Sequence, residues 1–307
     1  MMMIQLISLI TILIFSLVSV AFITLLERKI LGYMQIRMGP NKVGPTGILQ
    51  PMSDAIKLYS KEINWPTQSN SIPFFFSPCL SLTLALMMCL IMPYLKPILN
   101  MKMGLLMFLS ILGLGVYPIL VSGWSSNSNY SLIGSMRALA QTISYEVSLV
   151  FIILGTMFIS SSMSFYSIVK TQKFFMFFMF LIPFYTWLFS TVAELNRTPF
   201  DFAEGESELV SGFNTEYSSS SFAIIFMAEY LMILMFSSFT SMMFICGNTN
   251  LFTMMKIMAF MYFFIWIRAT LPRYRYDKLM NLSWKFILPI STFNLFISLS
   301  ILISSKY

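Results

Sequence analysis

Apolar runs separated by short polar segments fill the chain. Runs of roughly 20 residues, enough to cross about 30 Å of hydrocarbon at about 1.5 Å per residue, recur over 3–26, 74–95, 103–122, 137–158, 174–193, 221–246, 251–271 and 285–304. They are continuously apolar and lack the alternation of lipid-facing strands. The pattern predicts an all-α, polytopic membrane protein of about eight transmembrane helices, making one transmembrane domain over 1–307. A shorter periodicity follows the first run. Ile48, Met52, Ala55, Ile56 and Tyr59 recur at helical spacing, while Gln50, Asp54, Lys57 and Lys61 share another face. Two readings stay open for this amphipathic helix: it lies in the membrane interface, or it floors a cavity between lipid and a soluble partner.

Composition agrees with the pattern. With 57% hydrophobic and 10% charged residues, an ordinary soluble domain is excluded. The first run is too long for a signal-peptide core, has no basic residue before it and runs into Glu27, Arg28 and Lys29, so a retained helix is expected. No Arg-rich transit segment precedes it, which points to synthesis inside an organelle or in a bacterium. The 27 Met and 31 Phe are what an AT-rich mitochondrial genome would encode.

Taking the N-terminus as outside, 13 of the 19 basic residues fall on inner segments, as the positive-inside rule requires. The net charge of +7 is thereby explained by a basic inner face on anionic lipid, without nucleic acid. There is no histidine, and the three cysteines show no C-x-x-C spacing, so no metal, haem or iron–sulfur site is expected from this chain alone. Gly113 and Gly115 read as helix packing and not as a nucleotide motif. Redox chemistry served by the protein must reside in a partner.

Unusual residues concentrate on the inner side. The inner segment from Glu27 to Pro73 carries the Gly- and Pro-rich stretch from Arg37 to Gly47 before the amphipathic helix, and Ser122 to Ser135 reads as a Ser/Asn-rich loop. Glu146 lies about nine residues, or about 14 Å, into its run, where a carboxylate costs about 2.5–3.5 kcal/mol and needs an interior partner or a water path. Glu229 invites the same reading. Tyr145 and Tyr230, adjacent in sequence to these carboxylates, belong on other helix faces. Between 193 and 217 lie Glu194, Asp201, Glu204, Glu206, Glu208 and Glu216, opposed only by Arg197. Thr198-Pro-Phe-Asp201 has the form of a capping box with Gly212 at the helix end, so Asp201 is a cap on that reading. Capping leaves Glu204, Glu206 and Glu208 unexplained; a solvated acidic loop, a proton-attracting mouth and a seat for a basic partner all remain open. The alternating segment Arg268 to Lys278 reads as an anchor and a counter-charge to the acidic loop.

The stretches ERKILGYMQIRMGPNKVGPTGILQPMSDAIKLYSKE, ALAQTISYEVSL, AELNRTPFDFAEGESELVSGFNTEY and RATLPRYRYDKLMNLSWK resemble, in order, the family of subunit 1 of NADH:ubiquinone oxidoreductase (respiratory complex I; the bacterial H subunit). The resemblance covers essentially the whole chain. It implies a core membrane subunit of the mitochondrial inner membrane, with 32–73 and 193–217 as matrix-side loops. It further implies a ubiquinone access chamber lined or braced by Arg37, Asp54, Lys57, Arg197, Phe200, Asp201 and Arg275. Glu194, Glu204, Glu206, Glu146 and Glu229 are implied as the start of a proton relay. Ubiquinone is then the substrate, FMN and iron–sulfur clusters belong to partner chains, and the partners are hydrophilic-arm quinone-site subunits, neighbouring membrane-arm subunits and lipid. Two rival classes stand beside it: a self-contained ion transporter, and a purely structural membrane anchor.

Overall fold

The computed structural model describes residues 2–92, 101–172, 181–245 and 251–306. Every regular element among them is helical. In chain order these are α1 (Met2–Met34), α2 (Gln50–Ser60), α3 (Ser71–Ile91), α4 (Gly104–Leu114), α5 (Val116–Ser125), α6 (Asn129–Ser160), α7 (Phe165–Thr171), α8 (Leu181–Glu194), α9 (Glu206–Leu209), α10 (Ser219–Thr240), α11 (Leu251–Thr270), α12 (Tyr276–Leu282) and α13 (Leu288–Lys306). A π turn, Ser241–Ile245, extends α10, and another, Ser283–Ile287, joins α12 to α13. Among the described residues, seven helical stretches are long and apolar enough to span a membrane, α4–α5 and α12–α13 each counting as one. They match seven of the eight runs read from the sequence. Of the remaining run, 174–193, the first part lies outside the described residues and the rest is α8.

Three boundaries differ from the sequence reading. Helix α1 continues to Met34, so Glu27, Arg28 and Lys29 stand on a helix and not in a loop. The Ser/Asn-rich segment at 122–135 is almost wholly helical, because serine hydroxyls turn back on the chain at both helix ends. Ser122 donates to Ile119 O, Ser125 to Ser122 O and Ser126 to Gly123 O, and Ser126 and Ser131 share a hydrogen bond of 2.6 Å. The Ser-rich stretch from Ser160 to Ser167, which the sequence pattern leaves as an outer connection between runs, leads into the short helix α7, whose Phe165, Ile168 and Val169 are buried.

The interior is a continuous apolar cluster centred on α6 and α10, joined by Met88 and Cys89 of α3, Leu105 and Phe108 of α4, and Trp187 of α8. Phe108, Phe165, Phe236 and Phe239 pack ring on ring within it. The segments assigned to the inner side all meet at one end of this bundle. Asn70 N–H donates to Ser125 O (2.9 Å), Asn64 N–H to Ser218 Oγ (3.3 Å), and Tyr274 N–H to Pro199 O (3.0 Å). At the opposite end Leu105 N–H donates to Met163 O (3.2 Å).

Candidate functional site

The acidic loop, 195–218, is irregular except for α9 and one 3-10 turn. The helix foreseen from the capping box does not form, and the reason is that tertiary donors occupy the carbonyls it would need. Pro199 O accepts from Tyr274 N–H, Phe200 O accepts from Gln141 Nε2 (2.8 Å), and Ala203 O accepts from Phe213 N–H (3.4 Å). The Thr198–Pro199 peptide is cis. Asp201 keeps one cap-like bond, accepting from Glu204 N–H at 3.3 Å. Its other oxygen meets Arg273 at 3.2 Å. Burial pushes the Asp201 carboxyl upward in pKa, and Arg273 first among its partners offsets this only in part.

Two side chains pin the loop to the bundle. Gln141, fully buried in α6, donates from one amide nitrogen to Ala193 O (2.7 Å) and Phe200 O, bridging the loop's start and its first turn. Tyr217 stacks on Phe74 at 4.2 Å, and its hydroxyl lies 3.0 Å from Ser77 Oγ. Gly212 sits at φ +56°, and a Cβ there would lie 1.8 Å from Ala203 O. No other residue type fits that close approach.

A cavity of about 130 Å³, mostly apolar in its walls but holding a cluster of charged side chains, opens beneath the loop, between α3, α4–α5, α6 and α10. Glu194, Arg197, Glu204 and Glu229 line it, with Asn196 and hydroxyls such as Ser122 and Thr142. Arg197 meets Glu229 at 3.4 Å and lies over the Tyr230 ring at 4.8 Å. Burial alone would depress its pKa, but Glu229 first, then Tyr230, Glu27 and Glu204, reverse this and hold the guanidinium more firmly charged than usual. One oxygen of Glu194 is buried with no hydrogen-bond partner among the described residues. Glu146 projects from α6 toward α4, where a Cβ on Gly113 would stand 2.8 Å from its Oε1. Gly113 thus makes room for a carboxylate. Tyr145 points elsewhere, into the core, with its hydroxyl on Leu279 O (3.4 Å).

Neighbouring residues of α1 connect this cluster to α2. Glu27, 4% exposed, is ion-paired with Arg268 of α11, and Arg28 meets Asp54 of α2 at 2.5 Å. Gln50 also donates to Asp54 (2.9 Å). The apolar positions Ile48, Met52, Ile56 and Tyr59 of this helix are exposed, as the sequence pattern required.

The residues singled out from the sequence therefore divide. Glu194, Glu204, Glu229 and Arg197 share the cavity, Phe200 and Asp201 brace its loop, and Glu146 lies outside the cavity lining, against Gly113 of α4. Asp54 joins through Arg28. Arg37 and Lys57 are exposed, without an ion pair among the described residues. Arg275 is at the surface, 80% exposed and paired with Asp277 at 3.0 Å; Arg273 is the one that reaches Asp201. Glu206 begins α9. Glu27, Arg268, Arg273 and Gln141 were not singled out beforehand. Gln141 carried a signal, an amide five residues before Glu146 on the same apolar helix.

No group of three or more metal-ligating side chains occurs among the described residues. The geometry defines a class: an all-helical polytopic membrane protein with charged side chains from distant segments gathered at one end around a cavity. Within that class the comparisons are specific. The sequence model of the NADH dehydrogenase family matches residues 7–299, and the chain belongs to that family. It is 54% identical over 281 residues to the NADH-ubiquinone oxidoreductase chain 1 of Aedes aegypti, covering 91% of this chain and 90% of that one. The corresponding protein of Strongylocentrotus purpuratus is 48% identical over 296 residues, covering 94% and 92%.

Proposed function

We propose that this chain is the membrane subunit of proton-translocating NADH:ubiquinone oxidoreductase that helps form the ubiquinone access chamber and links quinone reduction to proton movement. Its place is the mitochondrial inner membrane, with the loops at 32–73 and 193–217 on the matrix side. The observation that carries the reading is the meeting of Arg197, Glu229, Glu204 and Glu194 around one cavity whose walls are otherwise mostly apolar. Two further ion pairs, Arg268–Glu27 and, on the next residue of α1, Arg28–Asp54, reach α2.

Reduction of a quinone to a quinol consumes protons and changes charge where it occurs. Carboxylates packed against arginines respond to such a change, because a nearby charge shifts the proton affinity of each. Glu204, Glu229, Glu194 and Glu146, together with Glu206, form the relay. Arg197 holds Glu229 in place, and Asp201 with Phe200 fixes the loop that carries Glu204. Asp54, Lys57 and Arg37 belong to the chamber's membrane edge, and Arg273 takes the bracing part beside Asp201.

Ubiquinone is the substrate. Flavin and iron–sulfur clusters sit in partner subunits of the hydrophilic arm, and neighbouring membrane-arm subunits receive the protons. Replacing Glu204 by Gln in the fully assembled complex is expected to lower NADH:quinone turnover at least tenfold while subunit composition is unchanged. Full turnover in that variant would leave the chain as an anchor.

A further inference from the structure

We infer, on the relay reading above, that Gln141 is a positioning residue: its one amide holds the two peptide bonds that lead into Glu194 and Asp201, and so fixes how these carboxylates stand to one another. Gln141 is fully buried in α6. Its Nε2 donates to Ala193 O at 2.7 Å and to Phe200 O at 2.8 Å. Both acceptors are carbonyl oxygens, which settles the amide's orientation, because only its nitrogen carries hydrogens. Ala193 O belongs to the peptide that joins Ala193 to Glu194, and Phe200 O to the one that joins Phe200 to Asp201. Between them the chain leaves α8 and turns through Asn196 at φ +49°, so no regular element fixes their separation.

Stability does not explain the amide. Each carbonyl already has a backbone donor, Asn196 N–H on Ala193 O at 3.2 Å and Phe202 N–H on Phe200 O at 3.1 Å. Without Gln141 neither carbonyl would be left unsatisfied. The amide meanwhile keeps its own Oε1 buried with no partner among the described residues, and a buried acceptor in that state is costly. An apolar side chain of the same length would fill the place at less cost. What the amide adds is a fixed link between two points of the chain, each next to a carboxylate.

Glu194 depends on that link more than Asp201 does. Arg273 reaches Asp201 at 3.2 Å, and Glu204 N–H donates to it at 3.3 Å. Glu194 lines the cavity with one oxygen that has no hydrogen-bond partner among the described residues. Its placing comes from the backbone that carries it, and Gln141 holds that backbone. The other end of the link is secured as well, since Tyr145, one turn further along α6, sets its ring 6.2 Å from that of Phe200. A proton passes only between groups within hydrogen-bond reach, and a displacement of about 1 Å costs up to about a hundredfold in rate.

The test measures NADH:quinone turnover in the assembled complex, with kcat and quinone KM separated, for Gln141→Met, Glu194→Gln and the two together. Gln141→Met keeps the side chain's length and removes both donors. Its kcat is expected to fall at least about tenfold, with quinone KM within about twofold of wild type. Added to Glu194→Gln, it is expected to lower kcat by less than about twofold more, because the link then has no carboxylate at 194 to place. Unchanged kcat, a quinone KM raised beyond about twofold, losses that multiply in the double variant, or wild-type turnover in Glu194→Gln each overturn the inference. Should Gln141→Met fail to assemble, Gln141→Glu is read by the same criteria. It keeps the shape and, as the neutral acid, one donor, and is expected to lose about threefold in kcat. Impaired Glu204→Gln beside normal Gln141→Met strikes this inference alone, whereas full turnover in Glu204→Gln strikes the relay reading.

Discussion

Glu27 is the side chain on which the charged cluster depends most. It is 6% exposed at its side chain and matched by Arg268, which is 29% exposed. Removing Arg268 leaves a carboxylate buried without its cation, at a cost of about 3 kcal/mol, the lower end for broken buried pairs because Arg268 retains some contact with water. Arg268→Ala is therefore expected to lower the thermal stability of the assembled complex markedly, and Glu27→Gln combined with it to recover a large part. A double variant no better than the single one would mean that Arg268 acts elsewhere. Glu146 offers a functional counterpart. Glu146→Gln keeps the side chain's size beside Gly113, so the fold should persist while protons moved per NADH oxidised fall. Unchanged pumping and turnover would remove Glu146 from the relay. Glu146 and Glu229 were legible in the sequence because a carboxylate inside an apolar run is costly and conspicuous. Glu27 was not, because a charge at the end of a run looks like ordinary interfacial chemistry until α1 is seen to continue to Met34.

The acidic loop shows what an element gains from tertiary contacts. Its sequence carries every local signal for a helix start, yet the carbonyls of Pro199, Phe200 and Ala203 are taken by Tyr274, Gln141 and Phe213. Partners from α6 and the segment before α12 are invisible to local pattern, which is why the motif misled. Gly212 is the loop's closest contact, and Gly212→Ala would drive a Cβ against Ala203 O at a φ of +56°. That variant is expected to cost at least about 2 kcal/mol, through backbone strain and displaced packing. The check is loss of the assembled complex on native gels, or quinone turnover at least tenfold lower in what assembles. Wild-type assembly and turnover would show that the 1.8 Å approach is not a constraint. By contrast, α2 forms over the residues its periodicity foretold, because its polar stripe finds Arg28 and its apolar stripe faces outward, so local and tertiary preferences agree.

For the whole molecule, hydrophobic patterning was enough to place seven spanning stretches and to assign which loops share a side. Those loops do meet at one end. Pairings between them could not be read, since RYRYDK offers two arginines and only the fold decides that Arg273, not Arg275, meets Asp201. On the proposed function, quinone-linked chemistry belongs at that end, where the charged side chains gather. A self-contained transporter would need no such gathering of distant loops at one end. The central claim is that this chain lines the quinone path, and photolabelling native membranes with a quinone-like probe tests it most directly. The account predicts label on the 37–61 or 194–217 segments of this chain, lost when excess quinone competes. Label confined to other subunits, with this chain present in the same membranes, would contradict it.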